Sequence, residues 1–183
     1  MRDRYGTLTI ALHWLMLALI AAVYACIELR VLWPRGSDPR ELIKVWHYML
    51  GLSVLALVLV RLGARLAGST PPIVPRPPAW QTGLAHATHA LLYLLMIGMP
   101  LAGWVLLSAK GEPVPFFGLT LPPLTGVNKA LATRVKDVHE TVGTIGYGLI
   151  GLHAVAGLFH HYVVRDNTLL RMLGRRSSGP RIR

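Results

Sequence analysis

The sequence predicts an all-α integral membrane protein, a four-helix bundle, and three observations carry that prediction. Of 183 residues, 53% are hydrophobic and only 15% are charged, well below the roughly one quarter that soluble domains carry. Four apolar runs, Leu8 to Leu29, Val45 to Ala64, Leu84 to Ser108 and Val138 to Val164, each reach about the ~20 residues that a helix needs to cross a bilayer. The segments between them are rich in proline and charge, as membrane-helix connections must be. One membrane-embedded domain over residues 1–183 is expected.

The first run starts almost at the N-terminus, is followed by no small-residue cleavage site and carries His13, so it reads as the first membrane helix and not as a removed signal. The second opens beside His47 and closes at Arg61 and Arg65. After it, STPPIVPRPP (69–78) excludes a helix, because proline removes backbone donors and restricts its predecessor; an extended connector is expected. The third run has His86 and His89 near its start. The loop from Lys110 to Asp137 contains EPVPFFGLTLPPL, whose prolines and aromatics suggest a folded cap on the outer surface of the bundle. The fourth, VHETVGTIGYGLIGLHAVAGLFHH, holds His139, His153, His160 and His161. Its Gly143, Gly146, Gly148 and Gly151 have two readings, close helix packing or room for a flat ligand. Gly143 lies one turn from His139, as Gly51 lies one turn from His47. The single Cys26 permits no intramolecular disulfide and reads as a small packing residue.

Orientation follows from Lys and Arg. Eleven lie on the side shared by both termini and the 69–78 connector, among them Arg2, Arg4, Arg61, Arg65, Arg76, Arg165, Arg175, Arg176, Arg181 and Arg183. Eight lie on the other side and are offset there by six acids. Both termini are therefore expected in the cytoplasm. The net charge of +11 flanks apolar spans instead of forming one soluble face, so topology and anionic lipid account for it and nucleic acid does not.

Histidines inside a bilayer need a physical reason. His139 and His153 are fourteen residues apart, which places them about 21 Å apart along one helix and on nearly the same face. Helix polarity puts His47 and His139 in the outer half, and these two form the available outer pair. The inner half has a surplus: His153 with His13, His86 and His89, and His160 with His161 at the inner surface. Two neutral imidazoles from opposite helices suit a six-coordinate b-type haem iron, and two depth-matched pairs imply two haems. No CxxCH motif is present, so the haem would be non-covalent. A histidine-lined metal or proton transporter is the rival, but Glu140 is the one acid near these histidines, at the outer edge, which poorly suits a hard or tetrahedral metal cage.

Several strings then match one family together: LHWL (12–15), TPPIVPRP (70–77), TGLAH (82–86), FGLTLP (117–122), HET (139–141), IGLHA (150–154), HHY (160–162) and DNTLLRM (166–172). Through them nearly the whole chain resembles the bacterial cytochrome b561 family, and more distantly the haem b membrane subunits of formate dehydrogenases and hydrogenases. The resemblance implies His13 and His153 as ligands of the cytoplasmic-side haem, and His47 and His139 as ligands of the periplasmic-side haem. It also implies an activity: superoxide gives an electron at the periplasmic side and leaves as dioxygen, and ubiquinone is reduced at the inner side of the bacterial inner membrane.

With that activity in view, further residues become candidates. Basic residues of the outer loops would steer an anion, and Lys136 and Arg134, just before His139, are the best placed. A quinone needs an apolar slot with donors and a proton source, for which His86, His160 and Arg76 lie near the inner surface. The alternative reading is an electron-relay or anchor subunit receiving electrons from a partner enzyme. An open charged funnel above the outer pair would favour superoxide, and a broad apolar patch would favour a protein partner docked on the cap.

Overall fold

The computed structural model describes residues 4–173. Arg2, Arg175, Arg176, Arg181 and Arg183, counted above in the charge asymmetry, lie outside them. The long helices are α1 Thr7–Leu29, α2 Asp38–Ala67, α3 Ala79–Lys110 and α4 Lys129–Phe159. A 3-10 turn, Arg30–Leu32, prolongs α1, a π-helical turn, His160–Val164, prolongs α4, and a short α5, Thr168–Met172, follows. All four long helices have the length and apolarity to cross a membrane. Within their apolar windows only 6 to 22% of residues are buried by protein, so most apolar side chains face outward, as lipid demands.

Each helix outruns its expected span, because apolarity marks the hydrocarbon layer whereas backbone chemistry ends the helix. Pro39 sits in the first turn of α2, where its missing N–H costs nothing. The side chain of Asn128 caps α4 by accepting from the Leu131 N–H at 3.0 Å. Gly111, with φ of 74°, closes α3 in the left-handed conformation that glycine tolerates, its N–H returning to the Leu107 and Ser108 carbonyls. Residues 129–137, expected in the outer loop, are therefore helical, and that loop shrinks to 111–128.

The shortened loop is a folded cap. Its strands β1 Val114–Phe116 and β2 Leu119–Leu121 pair antiparallel, with Val114 opposite Leu121. Phe117 and Gly118, both at positive φ, turn the hairpin. Val114 is buried against Leu52 and Leu107, with Tyr48 and Trp104 packed around them. Trp104 Nε1 donates to the Pro122 carbonyl, and the Leu124 N–H donates to Ser108 Oγ. The cap is thus clamped to α2 and α3 at what we call the hairpin end.

At the opposite, termini end the 69–78 connector contains no helix. The segment after α4 pins it. Asn167 Oδ1 accepts from the Val74 N–H at 2.9 Å, Asn167 Nδ2 donates to the Pro72 carbonyl at 3.3 Å, and the buried Arg171 donates to the Pro71 carbonyl. Burial lowers the pKa of Arg171 below its ordinary value, opposed by Tyr5 and Asp166.

The main core lies between α1, α2 and α3, where Met16, Val54 and Val58 are buried among Leu19, Val23, Tyr93, Met96 and Ile97. Close backbone seams join α1 to α2, α2 to α3 and α3 to α4. α4 makes no comparable seam with α1 or α2. The backbones stand apart along that side, and the histidines face one another across it.

Candidate functional site

Imidazoles meet at two levels along α4. At the hairpin end the ring centroids of His47 on α2 and His139 on α4 are 6.3 Å apart. At the termini end those of His13 on α1 and His153 on α4 are 6.2 Å apart. His89 on α3 approaches His153 more closely, at 5.5 Å. Three rings thus converge at the termini end and two at the hairpin end.

These separations test whether a haem iron suits the donors. An imidazole nitrogen lies about 1.1 Å from its ring centroid and binds a transition metal at about 2.0 Å, so two imidazoles that held one iron between them would have centroids roughly 6.2 Å apart. His47 with His139 and His13 with His153 match that spacing, whereas His89 with His153 is too close. His47 Nδ1 lies 3.1 Å from the Val23 carbonyl. Donating to it fixes the tautomer that leaves Nε2 as a metal donor. His139 Nδ1 is shielded and has no hydrogen-bond partner. The ring lies against α3 at Gly103, where a Cβ would meet His139 Cε1 at 3.5 Å, an ordinary van der Waals contact. The residues present fit b-type haem.

The glycines divide between their two readings. Gly146 is a packing residue, since a Cβ there would collide with Tyr24 Oη and crowd Leu95. A Cβ at Gly143 would touch Met99, and one at Gly51, Gly148 or Gly151 would meet nothing within 4 Å. Trp14 packs edge-on against His13 and donates to the Met172 carbonyl, while Trp46 packs against Phe117 of the cap.

Between the levels, α1 and α4 are joined by residues that carried no sequence signal. Tyr24 donates to the Gly143 carbonyl at 2.8 Å and packs, tilted by 47°, against Tyr147 at 4.3 Å between centroids, and Tyr147 in turn donates to Glu28 at 2.7 Å. An apolar cleft of about 190 Å³ opens beside the pair, lined also by Leu17, Ile20, Ala21 and Ile150.

The remaining candidates are dispersed. His160 Nδ1 is 2.6 Å from Asp166 Oδ2, in a dyad whose carboxylate is fully buried. His86 and Arg76 are exposed, and among the described residues no hydrogen bond or ring contact joins them to His160. Lys136 and Arg134 are both exposed near the hairpin end, but Lys136 is paired with Glu140 at 3.1 Å. Lys44 and Lys110 are likewise paired, with Glu41 and Glu112. Arg134, Arg35 and Lys129 make no ion pair among the described residues. Sequence reading missed Asp166, whose only signal was its place in the DNTLLRM string.

Comparison with known proteins agrees with this architecture. The family model described as prokaryotic cytochrome b561 matches residues 4–175. Cytochrome b561 homolog 1 of Escherichia coli K12 is 41% identical over 174 residues, 95% of this chain and 99% of that protein. The probable superoxide oxidase CybB of Yersinia pestis is 41% identical over 94% of this chain and 97% of that protein. Cytochrome b562 of Cereibacter sphaeroides is 31% identical over 92% and 94%. With four membrane-spanning helices and two facing histidine pairs, this chain belongs to the prokaryotic cytochrome b561 family of b-type membrane cytochromes.

Proposed function

We propose that the chain is a di-haem superoxide:ubiquinone oxidoreductase of the bacterial inner membrane, with both termini in the cytoplasm. The observation that carries the redox reading is the repeated centroid spacing, 6.3 Å for His47 with His139 and 6.2 Å for His13 with His153. These four residues would ligate the two irons, and His89 would pack beside the second. Bound haem supplies one-electron redox chemistry at each level. The choice of superoxide is supported by the name of the Yersinia relative. Two superoxide anions each give one electron at the hairpin end and leave as dioxygen; one ubiquinone takes both electrons, with two protons, at the termini end.

The chain's own residues serve the two ends differently. Arg134, exposed and unpaired among the described residues, is the stronger steering charge for an anion, and Lys136 the weaker because Glu140 offsets it. His160 Nδ1 lies 2.6 Å from Asp166 Oδ2, which leaves Nε2 facing away from the dyad; carrying a proton on both nitrogens, the ring would hold Asp166 through Nδ1–H and offer Nε2–H to a quinone oxygen. His86 and Arg76 remain candidates for the quinone headgroup at the same end.

A second reading, an electron-relay subunit, is favoured by one observation: Phe117, Leu119 and Val127 of the cap are 54 to 71% exposed, an apolar surface suited to a partner. Two measurements separate the readings. The purified protein should show a b-type visible spectrum with two haems per chain, and its absence ends both. Rapid mixing of oxidised protein with superoxide should reduce haem before quinone is added; reduction by a protein donor alone would establish the relay.

A further inference from the structure

Two arginines occupy corresponding places at the two histidine levels. Arg61 lies fourteen residues after His47 on α2, the interval that also separates His139 from His153 on α4. Fourteen residues return a helix to within about 40° of the same face some 21 Å further along. α2 therefore delivers an imidazole at the hairpin level and a guanidinium at the termini level. There Arg61 is within electrostatic reach of His13, His89 and His153. Arg30, in the 3-10 turn that closes α1, is within reach of His47. The first two helices thus exchange roles: α1 contributes His13 at one level and Arg30 at the other, and α2 contributes Arg61 and His47.

One nitrogen of each half-buried guanidinium group carries an unmet requirement. Arg61 Nη1 and Arg30 Nε are shielded from solvent and have no hydrogen-bond partner. A buried cationic donor without an acceptor is costly, and more so at membrane depth. The ion pairs of the described chain involve neither residue. An anion from outside the polypeptide would meet that requirement at both. A planar guanidinium favours a carboxylate, which it can hold through parallel N–H donors.

We propose that Arg30 and Arg61 each anchor a carboxylate side arm of the porphyrin held at their own level, Arg30 beside His47 and His139, Arg61 beside His13 and His153. This rests on the haem reading above. It makes each site three-sided: two imidazoles on the iron and one arginine on the rim, drawn from α1, α2 and α4 together. A phospholipid phosphate offers a guanidinium the same chemistry, and the test separates the two sources.

The test is redox titration of the purified holoprotein, together with the rate of haem loss to an excess of apomyoglobin. The component that disappears in His153→Ala identifies the termini level, and the one that disappears in His139→Ala the hairpin level. Arg61→Gln should lower the midpoint of the termini component alone and speed loss of that haem roughly ten-fold or more, the scale of one hydrogen bond to a charged group. Arg30→Gln should do the same at the hairpin level alone. Arg61→Lys and Arg30→Lys keep the charge and should hold the midpoint while loosening retention. An intact b-type spectrum with both midpoints and both loss rates unmoved overturns the assignment, as does a lowered midpoint with unchanged retention. A midpoint that rises on transfer from phospholipid vesicles to a phosphate-free glycoside detergent in the wild type, but not in the Arg→Gln variants, assigns the anion to lipid and also overturns it. A wild-type protein without b-type absorption overturns the haem reading itself.

Discussion

The hairpin level and the termini level are set by one helical interval on α4, yet they are built differently. At the hairpin level His47 and His139 face each other as a pair, and a backbone carbonyl holds the His47 ring. At the termini level His13, His89 and His153 converge, and a second dyad of His160 with Asp166 lies beyond them. The surroundings differ as well. The hairpin level is roofed by a clamped β-hairpin beside exposed charges, whereas the termini level is closed by a connector tied down by buried polar side chains. A pair without competitors can be found by elimination, but a cluster needs distances.

The largest expected effect breaks the pairing outright. His139→Ala should lose one haem of two in a pyridine haemochrome assay while the termini-level haem stays; an unchanged stoichiometry would reject the pairing of His47 with His139. Next in size is the contrast within the cluster. His13→Ala should lose the termini-level haem, whereas His89→Ala should keep both haems with at most a shifted spectrum, because 5.5 Å is shorter than the spacing at which two imidazoles would hold one iron between them. A protein that keeps two haems without His13 and loses one without His89 would reverse the assignment.

Smaller effects sharpen the contrast in surroundings. Asn167→Ala removes two hydrogen bonds that hold residues 72 and 74, and should cost about 1–3 kcal/mol in a thermal melt at unchanged haem content. A melt unaltered by the change would show that the connector needs no such tie. Smallest is the steering effect: Arg134→Glu should slow haem reduction by superoxide several-fold, at most about ten-fold at low salt, and flatten its salt dependence. Lys136→Glu should do less, since Glu140 already offsets that charge. Equal effects of the two would mean that the ion pair does not persist in solution.

Much of this was legible before any coordinates. The four spans, the folded cap and the proline connector followed from apolar length and backbone chemistry, although the helix ends did not. Charged residues such as Lys129, Arg134 and Lys136 end an apolar run without ending a helix, so α4 starts nine residues before the expected span. Polar satisfaction was illegible for a different reason. The bonds from Asn167 to Val74 and from Arg171 to Pro71 join residues more than ninety positions apart, and no local pattern announces such a pair. The two readings of the glycines also needed the neighbours: Gly146 takes the packing role against Tyr24 and Leu95, a distinction that spacing on α4 alone could not make.

What the sequence determined by itself was periodic and local: how many times the chain crosses, which histidines share a depth, and that α4 carries one at each level, because helical rise converts residue number into distance. The lateral arrangement came from packing alone. Which of His13, His86 and His89 meets His153 at ligand spacing, that Lys136 is neutralised by its neighbour, and that α4 stands away from α1 and α2 all depend on how helices are placed around one another. Depth follows from counting along one helix; azimuth and separation follow only from packing all of them.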